Sequence, residues 1–370
     1  MQIPYLSFSK MHETVKPEII SAFNDFYDKA QYVSGPAVAK FENEYAAFTG
    51  TRHALGVSNG LDALFLCLKS LQIGPNDEVI IPSNTYIATA LAVSYVGAKP
   101  VLVEPRPDTY NIDPEKIHQA INHKTKAIIP VHLYGQACEM NAILKIAGEN
   151  NLFVIEDNAQ AHGAHFQNKL TGSFGNINAT SFYPGKNLGA LGEAGCITTE
   201  SDQLAAIVSA LRNYGSSEKY FNEMMGHNMR MDEFQGAVLS IKLRHLNEWT
   251  KERQTIAKFY FNALKEINSL VLPFIAQDAE HVYHIFPIRT KKRNKLQAYL
   301  KEKGIGTIIH YPVPIHLQKA YQHLNFKKGD FPIAEEIADT ALSLPCWPGL
   351  TRVQINYIVE NIYDFFSNHA

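Results

Sequence analysis

The 370-residue sequence is poor in cysteine, with only Cys67, Cys138, Cys196 and Cys346 and no C-x-x-C pair. That usage excludes a disulfide framework and the common cysteine zinc sites, and it leads us to expect free thiols in a reducing compartment. No uninterrupted apolar run approaches about 18 residues, and the first ten residues lack a cationic segment followed by an apolar one, so neither a membrane span nor a secretory leader is expected. Charge of one sign is also lacking: 34 basic and 36 acidic side chains give a net charge of −2. Such a balance offers no global attraction to nucleic acid or to an anionic membrane. We expect a cytoplasmic protein with no nucleic-acid and no membrane partner.

Several chemical signatures are missing as well. There is no G-x-G-x-x-G and no Walker A loop, which weakens dinucleotide and nucleoside-triphosphate readings. Neither a G-x-S-x-G elbow nor a pair of catalytic carboxylates stands out. His132, His162 and His165 lack a regular ligand spacing, so packing or hydrogen bonding is expected of them and no metal site. The chain shows no internal repeat and no low-complexity tract.

What is present is the composition of a globular protein, 46% hydrophobic and 19% charged. Because single cores stop growing near roughly 250 to 300 residues, a chain of this length is expected to hold more than one. Residues 14–48 read as helix, broken at Val33-Ser34-Gly35-Pro36, where Ser34 can cap and Pro36 can open the second helix. From residue 53 to 195 short apolar runs alternate with amphipathic segments. Seven of these runs, 54–57, 78–81, 100–103, 127–131, 152–155, 179–182 and 196–199, predict a mostly parallel sheet covered on both faces.

Helical periodicity then dominates, over 204–214 and 232–264. Past residue 265 the pattern changes to strands at 282–288 and 307–310, a basic helix at 291–303 and a terminal amphipathic helix at 353–366. The expected division is a large domain over 1–250 and a smaller α/β domain over 251–370.

In such sheets ligands bind outside the carboxyl ends of the strands. The richest exit is residues 181–195, in which Lys186, between Gly185 and Asn187, is the only cation among fifteen residues that include four glycines. Glycine lets backbone pass close to a bound group, and a lysine so framed is a candidate Schiff-base nucleophile; a solvated loop lysine is the alternative. Asp157 stands at another exit, 29 residues before Lys186. A carboxylate there can hold a pyridine nitrogen protonated, or it can cap a helix.

Gln160, one turn further on, can reach a ring oxygen. Ser58-Asn59-Gly60-Leu61-Asp62 joins a strand to a helix whose first-turn N–H groups suit a phosphate, with Gly60 allowing close approach and Leu61 offering only its backbone. Ser181 can add a hydroxyl to that phosphate site. Tyr86 can lay its ring over a bound ring.

Taken together, Ser58-Asn59-Gly60, Glu156-Asp157-Asn158-Ala159-Gln160, Ser181-Phe182-Tyr183-Pro184-Gly185-Lys186-Asn187-Leu188-Gly189 and His227-Asn228-Met229-Arg230-Met231-Asp232 resemble the DegT/StrS-type sugar-nucleotide aminotransferases. The resemblance runs from Gly35-Pro36 to His310-Tyr311-Pro312. It implies an aspartate-aminotransferase-like fold (fold type I) with a seven-stranded mixed sheet, pyridoxal 5'-phosphate, and a homodimer with shared active sites. It also implies roles: Lys186 as the Schiff-base lysine and proton shuttle, Asp157 on the pyridine nitrogen, Gln160 on the ring oxygen and Tyr86 stacked.

Ser181, Gly60 and Leu61 would hold the phosphate, with Asn228 reaching it from the partner subunit. Three positions depart from the family pattern: Leu61 where many members have Thr, Asn158 where a smaller residue is common, and Ala194 in place of a frequent glycine. Lys186 separates aminotransferases from the sugar dehydratases of the family, which carry histidine there.

A finer similarity, carried by Asn84-Thr85-Tyr86-Ile87-Ala88-Thr89-Ala90, Val131-His132-Leu133-Tyr134-Gly135-Gln136, Tyr183-Pro184-Gly185-Lys186 and Lys219-Tyr220, is to members acting on dTDP-3-keto-6-deoxyhexoses, with glutamate as donor, in deoxyaminosugar and surface-glycan biosynthesis. Tyr183, Lys219, His310 and Tyr311 are the candidate contacts to sugar or diphosphate. A 4-keto substrate, a dehydratase or lyase reaction, and a non-catalytic regulatory protein of the same fold stay open as alternatives.

Overall fold

The computed structural model describes residues 1–218 and 220–368. Its centre is a seven-stranded sheet built from β1 (His53–Val57), β2 (Glu78–Pro82), β3 (Lys99–Val103), β4 (Thr125–Ile128), β5 (Phe153–Asp157), β6 (Ile177–Ser181) and β7 (Gly195–Thr199). The spatial order is β1-β7-β6-β5-β4-β2-β3. Pairings among β6, β5, β4, β2 and β3 are parallel. β7 runs antiparallel to both of its neighbours, β1 and β6. Six strands therefore point the same way; all seven expected strands are present, six of them within two residues at either end, and the fourth, expected over 127–131, ends three residues earlier at Ile128.

Val79, Ile80 and Ile81 in β2 are wholly buried. A strand without an apolar and polar alternation must be covered on both faces, and helices do this here. The helix Gly60–Ser70 buries Ala63, Leu64, Leu66, Cys67 and Leu68 against the sheet. It starts where it does because Asn59, with extended backbone, accepts from Asp62 N–H at 2.9 Å and so satisfies one of the first-turn donors. Ser201 caps the helix Asp202–Leu211 in the same way, accepting from Leu204 N–H at 3.2 Å.

A second core lies around the helix Leu246–Leu264, the antiparallel pair β8 (Phe286–Arg289) and β9 (Ala341–Leu344), and the helices Arg293–Glu302 and Arg352–Asn368. Tyr260, Phe286, Leu296, Leu300, Ile358 and Ile362 are fully buried in it. Ile3 joins this core from the amino terminus, exchanging backbone hydrogen bonds with Gly304 and Gly306. We propose that the division between the two units falls near residue 250, inside the helix Leu246–Leu264.

The structure differs from the expectation at several places. The periodic stretch 232–264 is two helices, Glu233–Leu243 and Leu246–Leu264, separated where His245 N–H turns back to Lys242 O at 3.0 Å. Residues 307–310 contribute only a bridge between Ile308 and Ser343. Their partner β9, four residues between Thr340 and Pro345, was too short to show a period. Gly35, not Ser34, is the cap position of the helix Pro36–Thr49, and the capping group is the distant carboxylate of Glu233. Pro36 does open that helix.

Candidate active site

The exits of β1, β2, β5 and β6 meet at one edge of the sheet. The β1 exit is the Asn59-Gly60 turn, which lies against the end of β6: a Cβ on Gly60 would sit 2.5 Å from Ser181 Cβ. A Cβ on Gly195, the first residue of β7, would sit 2.4 Å from Asn59 O. Both glycines are required by contact alone. In the first turn of the helix, Gly60 and Leu61 N–H have no intrahelical acceptor, and neither donates to another acceptor among the described residues. Asn59 and Ser58 are occupied differently, both bonding the Asp62 carboxylate.

From the β5 exit Asp157 enters a nearly closed space. Its Oδ2 accepts from Thr89 Oγ1 at 3.0 Å and its Oδ1 from Ala159 N–H at 3.2 Å. Burial pushes its carboxyl up from the ordinary range, and these two bonds and Lys186 oppose that rise. Glu156, the preceding residue, points to the other face and fastens the loop after β5, accepting from Gly172, Phe174 and Gly175 N–H. His132 donates from Nε2 to Glu156 at 2.8 Å, since its Nδ1 accepts from Cys138 N–H. His162 bonds Ser181 O and His165 bonds Glu280, so all three histidines have the packing and hydrogen-bonding roles expected of them.

Lys186 sits at the apex of a closed loop. Its N–H bonds Tyr183 O at 2.8 Å, and Ala190 N–H bonds Phe182 O at 2.8 Å across the loop's base. The side chain is half-buried, and among the described residues nothing hydrogen-bonds its Nζ. Burial pulls the amine down to about 8, with the Asp157 carboxylate opposing the shift. Three imidazoles share this field. Burial and then the Lys186 charge hold His162 near 3 and His310 near 4, and the same two causes put His284 well below its ordinary value. All three are neutral at pH 7, which leaves Lys186 facing one carboxylate and no competing imidazolium.

Gln160 is buried and doubly engaged: Oε1 accepts from Tyr134 N–H at 2.7 Å, and Nε2 donates to Tyr311 Oη at 2.9 Å. One Nε2 hydrogen remains for another acceptor. Tyr86 and Tyr311 face each other across the mouth, ring centroids 5.3 Å apart, and Tyr86 is half exposed. His310 bonds Ser343 Oγ at 2.8 Å and accepts from Tyr134 Oη through its carbonyl. Tyr183 lies exposed at the rim.

Asn228 is exposed and bridged to Asn213. No contact among the described residues joins it to Ser181, Gly60 or Lys186. Lys219 lies outside the described residues. Sequence reasoning missed Thr89 and His284. Thr89 could have been found as the residue one helical turn after Tyr86, whereas nothing in the sequence separates His284 from a framework histidine.

The sequence profile of the DegT/DnrJ/EryC1/StrS aminotransferase family matches residues 13–363. The chain belongs to this family. It is 47% identical, over 97% of its length and 98% of the relative's, to the dTDP-3-amino-3,6-dideoxy-alpha-D-galactopyranose transaminase of Aneurinibacillus thermoaerophilus. It is 43% identical, over 100% of both chains, to a Geobacillus stearothermophilus protein named as a pleiotropic regulatory protein.

Among solved structures, S. venezuelae DesV in complex with a ketimine intermediate superposes with a TM-score of 0.97 at 43% identity, covering 99% of this chain and 98% of that one. Bacillus subtilis NtdA with bound cofactor PMP superposes with a TM-score of 0.92 at 30% identity, covering 99% and 85%. The family fold is thus the one built here, a mixed seven-stranded sheet with its strand exits gathered at Lys186. Of the three departures from the family pattern, Asn158 is accommodated by a buried contact to Thr180 Oγ1 at 3.4 Å, and Ala194 keeps its backbone in the lysine loop, accepting from Phe182 N–H.

Proposed function

We propose that this chain is a pyridoxal-phosphate-dependent aminotransferase that moves an amino group from glutamate to carbon 3 of a dTDP-3-keto-6-deoxyhexose. The observation that carries the reading is the pairing of a Lys186 amine, without a hydrogen bond among the described residues and pulled down to about 8, with the buried Asp157 carboxylate at one sheet edge. The residues fit the cofactor in three ways. Gly60 and Leu61 offer two unused N–H groups beside Ser181 Oγ, a cradle for a phosphate that a Cβ at Gly60 would fill. Asp157 is a desolvated carboxylate whose charged form calls for a cation. Gln160 retains one N–H for a ring oxygen.

When bound, pyridoxal phosphate supplies an electron sink for the carbon that loses or gains a proton. The chain's own residues do the rest. Asp157 holds a proton on the ring nitrogen. Lys186 Nζ is a free base in an appreciable fraction near neutral pH, so it can take a proton from one carbon and return it to another. Tyr86 is assigned to stack on the cofactor ring. Tyr183, Lys219, His310 and Tyr311 are assigned to the sugar and diphosphate, and Asn228, exposed in the single chain, to the phosphate of a partner copy's site in a homodimer. The name of the Aneurinibacillus thermoaerophilus relative supports the choice of a dTDP-linked sugar and of carbon 3. A cytoplasmic site of action accords with the free cysteines and with the lack, among the described residues, of any helix long and apolar enough to cross a membrane.

Glutamate is expected to bleach the visible band of the lysine-bound cofactor and release one equivalent of 2-oxoglutarate, and Lys186→Ala to abolish both. A panel of 3-keto and 4-keto sugar nucleotides, with products identified by mass spectrometry and NMR, decides the carbon. Folded protein that stays colourless with added pyridoxal phosphate overturns the reading. Turnover of any keto sugar removes the purely regulatory alternative.

A further inference from the structure

Lys242 is the one lysine among the described residues that is buried, with 5% of its surface exposed. It lies on the helix Glu233–Leu243 among Val238, Leu239 and Ile241, a face that packing alone would fill with an apolar residue. No carboxylate approaches it among the described residues. Its Nζ instead donates to Gly189 O at 2.7 Å. A buried ammonium without a counter-charge is costly, and an apolar residue of similar volume would avoid that cost. A requirement at Gly189 would explain why the lysine stands there.

Gly189 is three residues beyond Lys186 and belongs to the same closed loop. A Cβ on it would lie 2.3 Å from Pro184 O and 3.0 Å from Tyr183 O, so its backbone is pressed on two carbonyls of the loop, of which Tyr183 O accepts from Lys186 N–H. The same helix reaches the loop a second time, where Gln235 Oε1 accepts from Leu191 N–H at 2.8 Å. The other flank is held by Asn187, which donates to Val282 O at 3.1 Å. The loop is thus braced from one helix at two points seven residues apart, and Lys242 is the brace nearer the amine.

We propose that Lys242 is a positioning residue for the reaction, fixing through Gly189 O the height of the loop from which Lys186 works. This rests on the assignment of Lys186 as the reacting amine. The brace itself is a property of the fold and is measurable without turnover.

The test uses the holoenzyme of Lys242→Met, which keeps the volume and removes the donor, and of Lys242→Gln, which keeps an N–H donor on a shorter stem. Hydrogen exchange of the peptide spanning residues 183–190 is expected to quicken about tenfold in Lys242→Met while peptides of β2 and β4 stay unchanged. Its kcat is expected to fall about 10- to 100-fold with KM for glutamate within about threefold, as for a reacting group displaced by a fraction of an ångström. Lys242→Gln should recover part of both losses.

If Lys242→Met does not fold, the exchange and kcat of Lys242→Gln decide alone, with both expected to lie between wild type and loss. Unchanged exchange and unchanged kcat in a folded variant overturn the proposal. A loss of kcat without faster exchange also overturns it, because the effect would then not pass through the loop. Failure of Lys186→Ala to affect chemistry would instead refute the assignment of Lys186 and leave the exchange result standing.

Discussion

Thr89 Oγ1 donates to Asp157 Oδ2 at 3.0 Å, so the helix that follows β2 supports a carboxylate delivered by β5. Asp157 has its carboxyl raised by burial, and this bond opposes the rise. For a carboxyl raised in the folded state, the associated stability is present below the unfolded value and is lost as pH rises through the folded value. Removing the donor in Thr89→Val should therefore cost more at pH 7 than at pH 4, about 1.5 to 3 kcal/mol at pH 7. Urea unfolding of apoprotein at both pH values checks this, and equal losses would show that the bond does not act on the ionised form.

Gly60→Ala tests the approach of the turn to β6. Its Cβ would lie 2.5 Å from Ser181 Cβ and 3.1 Å from Ser181 Cα, and backbone cannot yield as a long side chain can. We expect a stability loss of about 1 to 3 kcal/mol from overpacking, together with faster loss of cofactor on dialysis, followed by visible absorbance. Gly148→Ala is the matched control. Gly148 lies in the helix Met140–Glu149 with nothing within 4 Å of the added atom, so it should gain about 0.5 to 1 kcal/mol.

The strands of the sheet were legible in the sequence because each is a short apolar run between polar turns, and Lys186, Asp157, Gln160 and the Asn59-Gly60 turn were legible because strand exits are where such sheets bind ligands. What could not be read are pairings between distant segments. Ser34 has the chemistry of a cap but adopts a left-handed φ of 55°, and the carboxylate that caps the helix comes from Glu233, about two hundred positions away. Lys242 looks like any charge on an amphipathic helix until Gly189 O is placed beside it. β9 is four residues long, below the length at which a period of two can be told from chance.

Two lysines make the apoprotein's stability depend on pH. Lys186 and Lys242 are each pulled down to about 8 from an ordinary 10.5, in both cases chiefly by burial. Between those values the unfolded chain binds protons that the folded chain does not, so stability rises with pH across that window. The four buried thiols act in the opposite sense over the same range, because burial raises each of them and the unfolded chain ionises first, so the share of the lysines is read as a difference between variants. From pH 7.5 to pH 9.5 the urea midpoint of apoprotein should shift less favourably in Lys186→Met than in wild type, and less favourably again in the double variant with Lys242→Met. Parallel profiles in wild type and both variants would contradict a burial-lowered amine at either position.

Glu233 accepts from Gly35 N–H at 2.9 Å, from Val38 N–H at 3.3 Å and from Ala37 N–H. Its carboxylate thus takes up orphan donors at the start of the helix Pro36–Thr49, where no local side chain caps. A negative charge at that end also faces the favourable end of the helix dipole. Glu233→Ala should leave these donors unpaired in a nearly dry contact and cost about 2 to 3 kcal/mol. Glu233→Gln keeps one acceptor oxygen and should cost about half as much, since it loses the charge but not every bond. Urea unfolding with an unchanged m value is the measurement. A loss under about 0.5 kcal/mol in Glu233→Ala would mean that water replaces the carboxylate at no cost, and that packing alone docks the two helices.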